Sequence, residues 1–216
     1  MKFRHRLVLV FLLALGSLPA LALSDASRTR LEQIQGRWAE VNYQLPEKQR
    51  ESAFAELAQR AASAVAAEPA AAELRVWHGI VLGTYAGAKG GLGALDLVKQ
   101  AKLELEQAIT LDARVLGGSA YTSLGSLYYQ VPGWPLGFGD DDKAEALLQQ
   151  ALALNHDGID PNYFYGDFLL RKKRYNEARA FLEKTLQAPD RPGRAVADGG
   201  RRAEARALLK VVQEKR

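Results

Sequence analysis

Side chains that could carry out catalysis or bind a metal are few in this chain of 216 residues. It has no cysteine and three histidines, His5, His78 and His156. Thiol chemistry needs a cysteine, and zinc sites are built mainly from cysteine and histidine. The sequence also contains neither the G-x-S-x-G motif of serine hydrolases nor the H-E-x-x-H motif of metalloproteases. We therefore predict a protein that is not an enzyme and uses no cofactor.

Two short runs have the composition of ligand-binding loops but are better explained as local structure. Asp140, Asp141 and Asp142 are adjacent, whereas calcium loops alternate their carboxylates so that these converge. The segment DKAE at residues 142–145 has the form of a helix capping box, and we favour that role over a metal site. The glycine run at residues 86–93 follows a predicted helix and lacks the Lys-Ser/Thr ending of a phosphate loop, so we interpret it as a flexible turn.

The N-terminus has the pattern of a secretory signal peptide over residues 1–22. Basic residues precede the apolar run at residues 7–15, which is too short to span a bilayer, and the sequence ALA at residues 20–22 provides a cleavage site. The alternative is a retained N-terminal anchor helix. We predict cleavage after Ala22 and a periplasmic location, with no membrane span in the mature protein.

The charge of the chain gives no support for a nucleic-acid partner. The formal charge is +4, and three basic residues lie in the predicted signal peptide, so the mature protein is nearly neutral. Residues 191–216 are locally basic, with eight lysines and arginines. We interpret them as a solvated helix face with a frayed basic end, and the alternative is a patch for an acidic partner.

Apolar residues recur at three- and four-residue spacing over long stretches, which predicts an all-helical fold. Small residues recur as well, since Ala101, Ala144 and Ala178 follow one another at intervals of 43 and 34 residues. A glycine precedes each of these alanines, at Gly83, Gly125 and Gly166. Two helices of a pair can approach closely only where glycine or alanine meets a larger side chain.

This spacing resembles the tetratricopeptide repeat family, whose pattern is W-x2-L-G-x2-Y, A-x3-F and A-x4-P. The second unit matches at Tyr121, Leu124, Gly125, Tyr128, Ala144, Leu148 and Ala151. The third unit matches at Gly166, Tyr175, Ala178 and Leu182. The export signal and the loop insertions are also similar to those of the periplasmic T component of TRAP-type solute transporters.

The resemblance implies an all-α fold, an α-solenoid of antiparallel helix pairs with a C-terminal capping helix. We expect a signal peptide at 1–22, a helix pair at 23–71, three tetratricopeptide-like repeats at 72–189, and a loop with the capping helix at 190–216. The loop is predicted for residues 190–200 because it is rich in glycine and proline. In the capping helix, residues 201–214, the side chains expected to face the stack are Ala203, Ala207, Leu208 and Val211.

In this family the first helices of successive pairs line a concave groove, and groove-facing positions follow the motif glycine and tyrosine by one residue. That rule and the neighbouring helical turns give the candidate residues Thr84, Ser126, Tyr129, Tyr163, Asp167 and Arg171. Their mixture of polar and aromatic groups suits a peptide or a small polar ligand. It does not match the clamp of two lysines and two asparagines by which some family members hold a carboxylate. The alternative is that Tyr129 and Tyr163 simply pack between repeats.

The stretch at residues 130–142, QVPGWPLGFGDDD, is an insertion at the turn within the second unit. Gly125 and Ala144 are 19 residues apart, whereas the equivalent residues of the third unit are 12 apart. Trp134, Phe138 and two prolines make the insertion stiff and apolar. We therefore include Trp134 and Phe138 among the candidate binding residues, with Trp134 facing either a ligand or, by preference, the protein's own wall.

Together these features predict a non-catalytic periplasmic scaffold or binding protein with a protein or peptide partner. The alternative is a solute-binding accessory component of a TRAP-type transporter, which would hold a small solute in a pocket or pore through the repeats.

Overall fold

Helices make up nearly all of the part of the chain that the structure describes, residues 23–215. Over that part the computed structural model contains nine α-helices, a short 3-10 helix at Val115–Gly118 and no strand. The helices are α1 (Asp25–Tyr43), α2 (Glu47–Ala67), α3 (Ala72–Lys89), α4 (Ala94–Leu111), α5 (Ser119–Gln130), α6 (Asp141–Leu154), α7 (Ile159–Arg171), α8 (Tyr175–Gln187) and α9 (Ala195–Glu214). None of these nine is long and apolar enough to cross a membrane. The predicted signal peptide lies outside the described residues.

Consecutive helices pack as pairs along the chain. The pairs are α1 with α2, α3 with α4, α5 with α6 and α7 with α8, and each pair also packs against the next one. The all-α helical-repeat solenoid predicted from the sequence is therefore confirmed.

Three equivalent glycine contacts hold the three central pairs together. A Cβ atom built on Gly79, Gly125 or Gly166 would lie 2.7–2.9 Å from the Cγ atom of a leucine in the second helix of the pair. Those leucines are Leu105, Leu148 and Leu182, and each is fully buried. Only glycine permits this approach, because a side chain would force the two helices apart.

The motif glycine of the first unit is Gly79, and the sequence-based choice of Gly83 was wrong. A Cβ atom on Gly83 would meet only Leu127, at an ordinary contact distance of 3.4 Å. The two glycines are one helical turn apart and lie on the same side of α3. The sequence-based choice of the motif glycine was therefore wrong by four residues but identified the correct face of α3.

Helix α6 begins two residues earlier than the predicted capping box implies. The N-cap is Asp140, whose carboxylate accepts a hydrogen bond from the backbone N–H of Lys143 at 3.1 Å. Asp141 and Asp142 occupy the first turn, where negative charge favours the positive end of the helix dipole. The acidic run therefore starts a helix, as predicted, but the capping residue is Asp140 and not Asp142.

Helix α9 starts at Ala195, inside the stretch predicted to be a loop. One of the glycines that suggested a loop, Gly200, has a packing role instead, because a Cβ atom on it would overlap the ring of Tyr43 in α1. Of the four side chains of this helix predicted to face the stack, only Leu208 packs against the core, where it is partly buried. Ala203, Ala207 and Val211 are exposed, and the buried side chains are Ala197, Asp198, Arg201, Ala205 and Val212.

The array closes into a ring on its inner side. Helices α1, α3, α5, α7 and α9 contact one another in that order, and α9 also contacts α1. Helix α9 covers the α7–α8 pair, as a capping helix should. Its second contact, with α1, joins the two ends of the array, which the sequence-based prediction of an open groove did not anticipate.

Candidate binding cavity

The ring of first helices surrounds a cavity of about 740 Å³. Its lining comes from α1, α3, α5, α7 and α9, with additions from the start of α2 and from the segment before α9. A volume of this size falls within the range of about 300–1,000 Å³ that is typical of small-ligand pockets. The cavity is therefore a candidate ligand-binding site.

Two tryptophans form the aromatic wall of the cavity. Trp38 of α1 and Trp77 of α3 pack edge to face, with ring centroids 5.9 Å apart. The indole N–H of Trp38 donates a hydrogen bond to the hydroxyl of Thr84 at 3.0 Å. This bond satisfies the buried indole and fixes the orientation of the ring.

Helix α5 contributes a hydroxyl-bearing wall to the cavity. Three serines of this helix, Ser119, Ser123 and Ser126, lie along it at three- and four-residue spacing and line the cavity together. The hydroxyl of Ser126 donates to the carbonyl oxygen of Ser123 at 2.8 Å, so its oxygen can still accept a hydrogen bond from a ligand.

A charged network on α7 and α9 forms the opposite wall. The carboxylate of Asp160 accepts from the Nε of Arg201 at 2.9 Å and from the Nη1 of Arg191 at 2.7 Å. Arg201 also donates to Glu204 at 2.6 Å. Burial acts to raise the pKa of Asp160, but the guanidinium groups of Arg201 and Arg191 outweigh it and lower the pKa to about 2. Asp160 is therefore a permanent anion that ties α7 to α9.

The guanidinium of Arg201 is also enclosed by aromatic rings. It stacks over Tyr163 and Phe164, at 4.4 Å and 4.6 Å from the ring centroids. Burial raises the pKa of the Tyr163 hydroxyl to about 12, so this phenol stays neutral at physiological pH. Tyr163, a predicted binding residue, thus supports the arginine of the charged wall.

The basic residues before and within α9 do not form the solvated face predicted from the sequence. Arg191, Arg194 and Arg201 all line the cavity, and Arg201 is buried. The prediction holds only for the later part of the helix, where Arg206 and Lys210 are exposed. Arginine side chains are usually solvated, so sequence composition alone predicted that these residues face the solvent.

The predicted groove residues divide between two places. Thr84 and Ser126 line the cavity. Tyr129, Asp167 and Arg171 instead form a cluster where α5 meets α7, beside a second and smaller hollow lined by Tyr129 and Arg171. The Tyr129 hydroxyl donates to Asp167 at 2.8 Å, and Arg171 stacks 5.1 Å above the Tyr129 ring and pairs with Asp167 at 3.3 Å. These groups bind one another and so link neighbouring repeats.

The two aromatic residues of the inserted loop lie outside the cavity. Phe138 packs against the protein, with its ring centroid 5.4 Å from that of Tyr128 and beneath the ammonium group of Lys102. Trp134 is 91% exposed, so the preferred prediction that it faces the protein's own wall was wrong. The aromatic residue of the loop that packs against the protein is Phe138.

Sequence reasoning missed most of the cavity residues. Trp38, Trp77, Arg194 and Asp160 carry no repeat-motif signal, because the family pattern describes packing within and between pairs. Asp160 lies in the first turn of α7. A usable signal was the three arginines at residues 191, 194 and 201, whose spacing is close to helical.

The fold and the cavity define a class, that of helical-repeat arrays built from stacked helix pairs, as far as residues 23–215 show. Within that class, residues 136–197 match the family model described as tetratricopeptide repeat. The matched segment spans α6, α7 and α8 and reaches the start of α9. This segment of the chain is therefore similar to a tetratricopeptide repeat.

Solved structures with a similar arrangement include MamA and TTC0263, the latter a thermophilic TPR protein of Thermus thermophilus. One MamA structure is 22% identical, covers 78% of this chain and 92% of its own, and has a TM-score of 0.44. TTC0263 is 20% identical, covers 84% of this chain and 100% of its own, and has a TM-score of 0.39. No curated protein matches the chain.

Proposed function

We propose that this protein is a non-catalytic scaffold that takes the end of a partner polypeptide into the cavity enclosed by its first helices. Tetratricopeptide repeats are a general fold for protein–protein interaction, and their concave side is the usual binding surface. The observation that carries the proposal is the cavity itself, because all five inner helices contribute to its lining.

The closed ring favours a chain end over a long extended segment as the bound part. The contact of α9 with α1 blocks entry from the side of the array, so a ligand reaches the cavity through an open end of the ring. At about 740 Å³ the cavity holds only a few amino-acid residues. A partner that docks on the rim and inserts its terminus meets both conditions.

The electrostatics of the charged wall support a binding role over catalysis. A general acid or base works best when its pKa lies near the operating pH. The pKa of Asp160 is lowered to about 2 and that of Tyr163 is raised to about 12. Both oxygens of Asp160 also accept hydrogen bonds from arginine. These groups are therefore poised to hold the walls in place.

We also propose that the protein acts in the periplasm after removal of residues 1–22. The support is the signal-peptide pattern of the sequence. Mass spectrometry of the protein recovered from a periplasmic fraction tests this directly. The expected mature N-terminus is Leu23, and recovery of the uncleaved chain from the membrane fraction would instead favour an anchor helix.

Site-specific photocrosslinking in intact cells tests the binding proposal. A photoreactive amino acid at Ser126 would face the cavity, and the same group at Gln150 would lie on the exposed side of α6. We expect a discrete crosslinked polypeptide from position 126 and none from position 150. Equal crosslinking from both positions, or a product from position 150 alone, would show that the cavity is not the binding site.

A second candidate function is the holding of a small solute, as an accessory to a transporter. The specific observation in its favour is the closure of the ring, because an enclosed cavity of this volume also fits a small molecule. Native mass spectrometry of protein purified from the periplasm separates the two functions. A reproducible adduct of a few hundred daltons that is lost on filling the cavity supports the solute.

A further inference from the structure

Not every arginine that lines the cavity has a carboxylate partner. Four arginines and three carboxylates contribute to the lining. Asp160 and Glu204 are both engaged by arginine, as described above, and Arg191 has a further partner in the buried carboxylate of Asp198, to which its Nε donates at 2.8 Å. Two arginines, Arg50 and Arg194, form no ion pair with a carboxylate of the described residues. Of these two side chains, only that of Arg50 forms a hydrogen bond within the described residues, from its Nε to the carbonyl oxygen of Leu45.

Arg194 is held in place at the cavity wall with its donors unused. Its guanidinium stacks on the ring of Trp77, 4.7 Å from the centroid. The Nη1 atom is enclosed and has no hydrogen-bond partner among the described residues. An enclosed donor without an acceptor is costly, and the cost is larger for a charged group. The position of Arg194 is thus unfavourable on its own. Because Arg194 lines the cavity, an acceptor there can bond to other N–H groups of the same guanidinium and offset part of this cost.

We propose that Arg194 and Trp77 form an oxyanion-binding subsite of this cavity, which takes a carboxylate or phosphate group attached to an apolar body. The planar guanidinium offers paired N–H donors that match the two oxygens of such a group. Trp77 and the adjacent Trp38 offer ring faces and edges to the apolar part. The proposal deepens the proposed function and rests on it, because the anion is then carried by the end of the partner chain.

The charged surroundings favour an anion at this point. Arg191 lies close enough to Arg194 to lower its pKa, together with burial, which is the larger cause. Two neighbouring guanidinium groups repel each other, and a bound anion reduces that repulsion. The carboxylates of Asp160 and Asp198 act in the opposite direction on the pKa of Arg194, but neither forms an ion pair with it, and both are engaged by Arg191.

The three tryptophans of the chain provide a local reporter of binding. Trp38 and Trp77 line the cavity, and Trp134 is exposed on the inserted loop. In a Trp134→Phe background, the fluorescence therefore comes only from the cavity wall. The probes are 3-phenylpropionate, phenyl phosphate, the neutral 3-phenylpropionamide, and an N-acetylated tripeptide of uncharged residues ending in phenylalanine, as the free acid and as the C-terminal amide.

We expect the three anionic probes to change the tryptophan emission saturably and the two neutral probes to leave it unchanged. Arg194→Met should weaken binding of the anions at least about tenfold, since a charge-assisted hydrogen bond is lost. Arg206→Met is the matched control, because Arg206 is an exposed arginine of α9, the helix that follows Arg194. It should change the affinity by less than about twofold.

Thermal melting of each variant checks that it folds. If Arg194→Met does not fold, Arg194→Lys replaces it, with a smaller loss of affinity expected because lysine keeps the charge but not the planar fork. The proposal is overturned if neutral and anionic probes bind alike, if no probe changes the emission at millimolar concentration, or if a folded Arg194 variant binds with wild-type affinity.

Preference for the free-acid tripeptide over 3-phenylpropionate indicates a polypeptide source of the carboxylate, and preference for phenyl phosphate indicates a phosphorylated one. The subsite and the proposed function can also fail separately. If anions bind through Arg194 but position 126 crosslinks no polypeptide, the subsite stands and the polypeptide partner does not. If position 126 crosslinks a polypeptide whose capture is unaffected by Arg194→Met, the scaffold stands and the subsite does not.

Discussion

Replacement of Asp160 by asparagine tests whether charge at this residue holds the ring closed. Asp160 is 28% exposed at its side chain and pairs with arginines from α9 and from the segment before it. Its pKa falls from 3.8 to about 2 on folding. A difference of that size corresponds to about 2 kcal/mol of stability at neutral pH. Asp160→Asn should therefore lower the free energy of unfolding by about 2 kcal/mol at pH 7.

The pH dependence of this loss is the stricter test. Because the folded-state pKa is depressed, the contribution of the carboxylate is complete above the unfolded value of 3.8 and disappears as the pH falls toward 2. Asparagine mimics the protonated acid at every pH. The gap between wild type and variant should thus narrow to about 1 kcal/mol at pH 3, as measured by urea unfolding followed by circular dichroism.

A matched control is Asp96→Asn. The Asp96 side chain is 84% exposed and its nearest cation, Lys99, is 3.7 Å away, so the change should cost less than about 0.5 kcal/mol. A loss at Asp160 that stays constant between pH 3 and pH 7, or that is no larger than the control, would refute the conclusion that the ionised carboxylate joins α7 to α9.

Three further tests address the packing, the first two with paired substitutions, and each is measured by urea unfolding. Gly200→Ala should destabilise the protein by about 1–3 kcal/mol because its Cβ overlaps Tyr43, whereas Gly199→Ala, with nothing within 4 Å, should stabilise it by up to about 1 kcal/mol. Trp134→Ala should change stability by less than about 0.5 kcal/mol, while Phe138→Ala should cost about 2 kcal/mol. Tyr129→Phe should cost about 1–3 kcal/mol, because Asp167 loses a hydrogen-bond donor. Equal effects within either of the first two pairs, or no effect at Tyr129, would contradict these contacts.

The fold could be predicted from sequence because its signals are local. The approach of two helices within a pair depends on one small residue and one leucine at fixed spacing, as at Gly125 and Leu148. The same spacing placed Ser126 and Thr84 on the inner side of the array. Even the mistaken choice of Gly83 over Gly79 preserved the correct face, since the two are one turn apart.

The closure of the ring could not be predicted, because it depends on contacts between residues far apart in sequence. Tyr43 of α1 meets Gly200 of α9, and its hydroxyl lies 3.4 Å from Glu204. A pair of glycines in a basic stretch is more often a loop, and arginine is more often solvated. Tertiary packing overrode both tendencies here, which is why the charged wall of the cavity was assigned to the solvent.

The central claim is that the cavity within the ring is the binding site, and filling it tests that claim most directly. Ser126→Trp places an indole in the cavity, and Gln150→Trp places one on the exposed side of α6. The measurement is calorimetric titration of each variant with the polypeptide that position 126 crosslinks. We predict at least about a tenfold loss of affinity for Ser126→Trp and none for Gln150→Trp. Wild-type affinity in a folded Ser126→Trp protein would contradict the claim.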